Sequence, residues 1–213
     1  MNTAEKALCI IGAGGFGREV FSSFLNDFIR IGISKDNIVF MDENQNIEKD
    51  KLFGCQLISF KNFEIYHYKV IIAIGEPKIR QKIVEKLPKE TNYSTLVNSN
   101  AIIGENVNIG IGSIITAGCI LTTNIIIGKH SHINLNTTIG HDCIIGNYFT
   151  TAPGVNISGE CYIGNNVYIG TNASIRNGIK ICDNVIIGMG AVVTKNINDP
   201  GIYIGNPLKK LEK

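Results

Sequence analysis

Tryptophan is absent from this chain of 213 residues, prolines number five, and charge is scarce and balanced, with 20 Lys+Arg against 18 Asp+Glu for a formal net charge of +2. So small a surplus cannot raise the dense basic field on which non-specific nucleic-acid binding depends, and nucleic acid is excluded as an expected partner. Long apolar runs are missing too. None approaches the roughly 20 residues that span a bilayer, and the first apolar stretch, Ala7 to Ile11, leads into glycines rather than a cleavage site. The expectation is a cytoplasmic protein without membrane insertion. The six cysteines show no C-x-x-C spacing, which argues against a disulfide framework or a zinc site.

What the chain has instead is a repeat. Stepping by six from Ile103 gives Ile109, Ile115, Leu121 and so on to Val193, and every residue of the series is aliphatic except Thr151. The position after each is often glycine, and the position two before is mostly small or β-branched, with Cys119, Cys143 and Cys161 among them. Those cysteines therefore read as small packed hydrophobes. A period of six suits neither a helix stripe nor simple strand alternation. It suits a three-sided prism of short strands, each face sending one large and one small side chain inward, with glycine and asparagine turning the corners. Only seven charged residues lie between Ala101 and Val193, so the repeat region differs in kind from the part before it.

The first part reads as strand, glycine turn, helix. Ala7 to Ile11 is followed by Gly12-Ala13-Gly14-Gly15-Phe16-Gly17, and then by Val20, Phe21, Phe24, Leu25 and Phe28 at helical spacing. Gly12, Gly14 and Gly17 fit G-x-G-x-x-G, an arrangement that brings backbone N–H groups at a helix start close to a diphosphate. A second strand, Asn37 to Met41, ends at Asp42, and a third, Lys69 to Ile74, ends at Gly75 before a helix over 78–87. Thr91 to Val97 reads as a closing strand. Fewer than 100 residues hold one mononucleotide half and leave no room for a second, which disfavours a nicotinamide redox enzyme. The expected division is an α/β half-Rossmann-like domain over 1–98 and a parallel β-helix with a C-terminal tail over 99–213.

The repeats resemble the left-handed parallel β-helix of the hexapeptide-repeat acyltransferases. Joined to the glycine loop, they resemble the sugar O- and N-acetyltransferases of surface-polysaccharide pathways, of the sialic acid O-acetyltransferase and nucleotide-4-amino-sugar N-acetyltransferase types. The resemblance implies a homotrimer that uses acetyl-CoA as acetyl donor. His141-Asp142 matches the histidine and acidic residue that act there as catalytic base and orienter, so His141 would take the acceptor's proton while Asp142 holds its tautomer. Gly12, Gly14, Gly15, Phe16 and Gly17 would lie near the acceptor's diphosphate, with Asp42 near the base of the nucleotide and Gly75 close by. Relatives often carry histidine at the position of Phe16, and phenylalanine cannot donate to phosphate. Asn134, seven residues before the base, would stand beside the acceptor. Thr150, Gly159 and Met189 would border acetyl-CoA, and Asn206 and Lys209 would meet it from the tail. The acceptor implied is the amine of a nucleotide-linked 4-amino-4,6-dideoxy sugar, with a sugar hydroxyl or a non-catalytic nucleotide-binding trimer as alternatives. The gamma-class carbonic anhydrases share this β-helix and bind metal through three histidines, but His130, His132 and His141 show no matching spacing, and no metal is expected. His130 and His132 fall outside the inward positions and are expected at the solvent surface.

Overall fold

The computed structural model describes residues 7–42, 51–62 and 64–212. They form two compact units, one running up to Gly75 and resuming over Lys82–Ser94, the other made of Glu76–Gln81 and the chain from Thr95 onward. Among the described residues no helix is long and apolar enough to cross a membrane.

The first unit is built on a sheet of β1 (Ala7–Ile11), β2 (Ile38–Met41), β3 (Lys51–Leu52), β4 (Cys55–Ile58) and β5 (Tyr68–Ile72), in the order β3-β4-β2-β1-β5. All pairs are parallel except the β3-β4 hairpin. Helix α1 (Gly15–Arg30) buries Val20, Phe21, Phe24 and Phe28, the stripe read from the sequence. The sheet core joins Cys9, Ile11, Val39, Met41, Val70 and Ile72 to Ile83 of helix α2 (Pro77–Lys86) and to Leu87 just after it. The closing strand expected over Thr91–Val97 does not form as one element. Tyr93 makes a single bridge to Val70, and Leu96-Val97 instead pairs with Ile114-Ile115 as the first rung of the second unit. A short apolar alternation suits either sheet, and the chain passes from one to the other within it.

The second unit is a three-faced parallel β-helix. Each face adds a strand of two or three residues every 18 residues, so that His132 lies between Ile114 and Thr150 and Ile144 between Ile126 and Tyr162. The aliphatic ladder is buried almost completely, and Cys119, Cys143, Val155, Cys161, Ala173 and Ala191 fill the narrower inward positions beside it. Every corner needs a residue in the left-handed region. Asn106, Asn124, Asp142 and Glu160 supply it along one edge, with φ between 53° and 60°. Burying the column removes from water the area that offsets the ordering of so many short strands, at roughly 1.5–3 kcal/mol per large aliphatic side chain.

The one break in the ladder has a packing reason. Thr151 shares its face with Phe149, which occupies a position held elsewhere mostly by small residues, and both are fully buried. The large ring takes the volume that an isoleucine at 151 would need. The Thr151 hydroxyl is also used: it accepts from the Asn134 N–H at 2.9 Å and shares a hydrogen bond with Thr137 Oγ1 at 2.9 Å.

Candidate active site

His141 and Asp142 sit on the edge marked by Asn106 and Asn124. Successive side chains on a strand point to opposite faces, but Asp142 at φ 58° turns the backbone so that the two neighbours meet. His141 Nδ1 and Asp142 Oδ2 are 2.7 Å apart. A carboxylate only accepts, so Nδ1 carries the hydrogen, and in the neutral ring Nε2 is then the atom with the lone pair. Hydrogen bonds from His141, and then from Asn124, hold the Asp142 carboxyl below the usual carboxylate range. The pair is open to solvent, with side-chain exposures of 56% and 51%.

Gly159 lies one rung above His141, 18 residues on. A methyl group there would stand 2.7 Å from Nε2 and 2.8 Å from Cε1 of the His141 ring. The missing side chain is the seat of the imidazole. Asn124 Nδ2 donates to the second carboxylate oxygen, Asp142 Oδ1, at 3.2 Å, and Asn106 Nδ2 donates to Asn124 Oδ1 at 3.1 Å.

Other residues singled out in the sequence lie elsewhere. Asn134 stands at the far end of the Thr138–Ile139 strand from His141, with its own Oδ1 accepting the Leu135 N–H at 2.8 Å. Thr150 is buried, and its hydroxyl accepts from Arg80 Nη2 at 2.8 Å. That side chain is withdrawn from the expected cofactor set, because its only polar atom is turned into a buried cluster. Met189 is widely exposed at 79%, and Asn206 and Lys209 are exposed in the tail, where Lys209 pairs antiparallel with Ile204.

In the first unit, Gly12 has φ 109°, and a Cβ on Gly17 would collide with the Gly12 carbonyl oxygen, so the two glycines let the loop fold tightly against α1. Gly14, Gly15 and Gly75 face open space, while Phe16 is half-buried. No side chain caps α1 at Gly14, and its first turn holds no acidic residue. The opening N–H groups are thus disposed toward an anion. Asp42 Oδ2 accepts the Ala13 N–H at 2.8 Å, so this carboxylate shapes the loop itself.

His130 and His132 overturn the surface expectation, being 4% and 1% exposed. They do point out of the prism, but Arg80 covers them. Its Nε donates to the His130 carbonyl at 2.7 Å, Nη1 to His132 Nδ1 at 3.1 Å, and Nη2 to the carbonyls of Tyr148 and Phe149 at 3.0 and 3.1 Å. Burial pushes the Arg80 guanidinium down to about 9, and burial, followed by Arg80 itself, pushes His130 down to about 4. The His130 ring stacks on Tyr148 at 5.5 Å. Nothing in the spacing of α2 marks Arg80. Gly159 did carry a signal, since it is the residue one full coil beyond the histidine and has no side chain.

Comparison with known proteins agrees with this architecture. Residues 7–87 match the PglD N-terminal domain, residues 136–170 the hexapeptide repeat of succinyl-transferase, and residues 160–195 the bacterial transferase hexapeptide of six repeats. None of the curated proteins matches the chain. Among solved structures, WeeI from Acinetobacter baumannii AYE is 34% identical with a TM-score of 0.88, covering 96% of this chain and 99% of its own. The acetyltransferase domain of PglB from Neisseria gonorrhoeae FA1090, in complex with acetyl coenzyme A, is 26% identical with a TM-score of 0.84, over 98% of this chain and 100% of its own. PerB from Caulobacter crescentus, in complex with CoA and GDP-perosamine, shares the fold at 23% identity and a TM-score of 0.82, over 98% and 99% of the two chains.

Proposed function

The chain belongs to the hexapeptide-repeat sugar acyltransferases that carry a PglD-type N-terminal domain, and from that premise we propose that it transfers the acetyl group of acetyl-CoA to the amine of a nucleotide-linked 4-amino-4,6-dideoxy sugar. One observation carries the reading: His141 Nδ1 is held at 2.7 Å by Asp142, the arrangement that in the neutral ring leaves Nε2 its lone pair, over a glycine that leaves room for it. The amine nitrogen bonds to the thioester carbonyl carbon, the carbon–sulfur bond breaks, and the displaced proton passes to His141 Nε2 and on to the departing thiolate. Asp142 stabilises the imidazolium that forms meanwhile. A positioned base of this kind contributes ~10²–10⁴-fold.

The uncapped start of α1, with open space at Gly14 and Gly15, suits the diphosphate of the acceptor. Binding of acetyl-CoA is supported by the PglB domain, crystallised with that molecule. Among the residues expected at the donor, Gly159 belongs to the His141 seat, while Met189, Asn206 and Lys209 remain accessible to it. A homotrimer is part of the reading. Ile126, Ile144 and Tyr162 form an exposed apolar column on the face that begins just after His141, and a second copy would cover it.

Incubation with acetyl-CoA and a panel of UDP-, dTDP- and GDP-linked amino sugars, read by mass for one added acetyl group, tests the proposal. Transfer to one nucleotide amino sugar that His141→Ala abolishes is the expected result. Transfer only to a free sugar hydroxyl, or turnover unaffected by His141→Ala, would overturn it. Light scattering at assay concentration reads the assembly, with three chains expected.

A further inference from the structure

We propose that Asn124 is a positioning residue for the His141–Asp142 pair, acting through Asp142, with Asn106 fixing the amide of Asn124 in turn. The proposal rests on reading His141 as the base. The three side chains Asn106, Asn124 and Asp142 follow one another at intervals of 18 residues along a single edge, and each has a left-handed backbone. That backbone does not require asparagine. On another edge of the same β-helix, Gly118 and Gly154 meet the identical demand with φ 73° and 72°. The amides at 106 and 124 therefore add something that glycine would not.

What they add is direction. Asp142 can accept but not donate, so the Asn124 amide must present its nitrogen to Oδ1, and its oxygen then faces the preceding rung, where the Asn106 nitrogen donates. Both carboxylate oxygens become distinct: Oδ1 is taken from below by Asn124, and Oδ2 is left to His141. Without Asn124 the exposed carboxylate is free to turn about its χ angles, and the Nδ1 hydrogen loses a fixed acceptor. The neutral imidazole then divides between two tautomers, one of which has no lone pair at Nε2 to receive the acceptor's proton. Asp142 also makes a backbone hydrogen bond to Thr123 on the rung below, so the side-chain ladder is added to an edge whose main chain is already held.

The test uses the full-length protein and three variants, Asn124→Gly, Asn124→Asp and His141→Ala. Glycine keeps the left-handed backbone and removes the donor; aspartate keeps the size but cannot donate at neutral pH. Because the pair is solvent-exposed, water replaces part of what is lost, and the expected fall in kcat is about three- to thirtyfold for either Asn124 variant, with KM for both substrates unchanged within twofold. Long-range proton–nitrogen spectra of the histidine side chains, with His141 assigned by its loss in His141→Ala, are expected to show one neutral tautomer in the native protein and a mixture in Asn124→Gly. Native kcat and an unchanged His141 spectrum in both Asn124 variants would overturn the proposal while leaving the base reading intact if His141→Ala is inactive. If His141→Ala is active, the base reading falls, and the spectra alone still decide whether Asn124 orders the pair.

Discussion

Replacing Gly159 by alanine should separate catalysis from folding in a single methyl group. The added carbon would lie 2.7 Å from His141 Nε2, 2.8 Å from Cε1 and 3.0 Å from Cδ2. An unstrained contact needs ~3.5 Å, so the ring must retreat by about 0.8 Å. It can do so without disturbing the column, because the side chain is more than half exposed and Gly159 itself has no left-handed backbone to strain. A displacement of that size at the base costs on the order of 10²-fold in kcat, against a ceiling of ~10⁴-fold for losing the base altogether. Gly159 is buried, but the nearest atoms its new carbon meets belong to an exposed ring that can move aside, so stability should change by less than ~1 kcal/mol. Release of the CoA thiol, followed colorimetrically with saturating substrates, gives kcat, and thermal melting gives the stability. Turnover within threefold of the native enzyme would refute the reasoning, for it would mean that the imidazole does not work from the seat it occupies over Gly159.

Three further outcomes follow from residues away from that edge. His130 is held near 4 against an ordinary value of 6.5, so its neutral form is favoured by folding: its contribution is intact above pH ~6.5 and disappears as pH falls toward 4, about 3 kcal/mol in all. Melting curves across this range should show the native protein losing more stability than His130→Asn, which keeps the left-handed backbone and cannot titrate; parallel losses would contradict the assignment. Arg80→Met should lower the urea-derived stability by about 2–4 kcal/mol, since it strips donors from the carbonyls of His130, Tyr148 and Phe149 and from Thr150 Oγ1. A change below half a kcal/mol would show that water replaces the guanidinium without loss. Thr151→Ile should destabilise by about 1–3 kcal/mol through overpacking beside Phe149, and Phe149→Val in the same chain should restore more than half of it; strictly additive effects would disprove the volume exchange.

The β-helix was legible because its period is written in single residues: a large inward side chain every sixth position, a small one two before it, and glycine or asparagine at the corners. The break at Thr151 was visible in the ladder, but its reason was not, because Phe149 two residues earlier explains it only when both are seen buried on one face. The adjacency of His141 and Asp142 was legible as a pair, whereas Gly159 was expected beside acetyl-CoA, and its place above the ring emerged only once the 18-residue coil was seen. Arg80 was not legible. Its partners lie 50 to 70 residues away, and an arginine in an amphipathic helix looks the same whether it meets solvent or a bed of carbonyls. The same blindness put His130 and His132 at the surface: outward from a prism is solvent only where no other segment lies on the face, and the short stretch Glu76–Gln81 belongs to the β-helix unit although it is encoded well before the first repeat.

The corner that holds the proposed base is one of a series, and its neighbour one coil higher, Glu160, has nearly the same backbone angle, 60° against 58°. A histidine–acid pair moved to 159–160 would find the same backbone, and would need Asn177, the residue one coil above its ring, reduced to glycine. On such a column the reach between a thioester and its acceptor cannot be tuned continuously; it changes by whole storeys of about 4.8 Å. Descendants of this chain could therefore meet a longer or shorter acceptor by moving the pair and the glycine above it up or down one flight, with no loop to redesign.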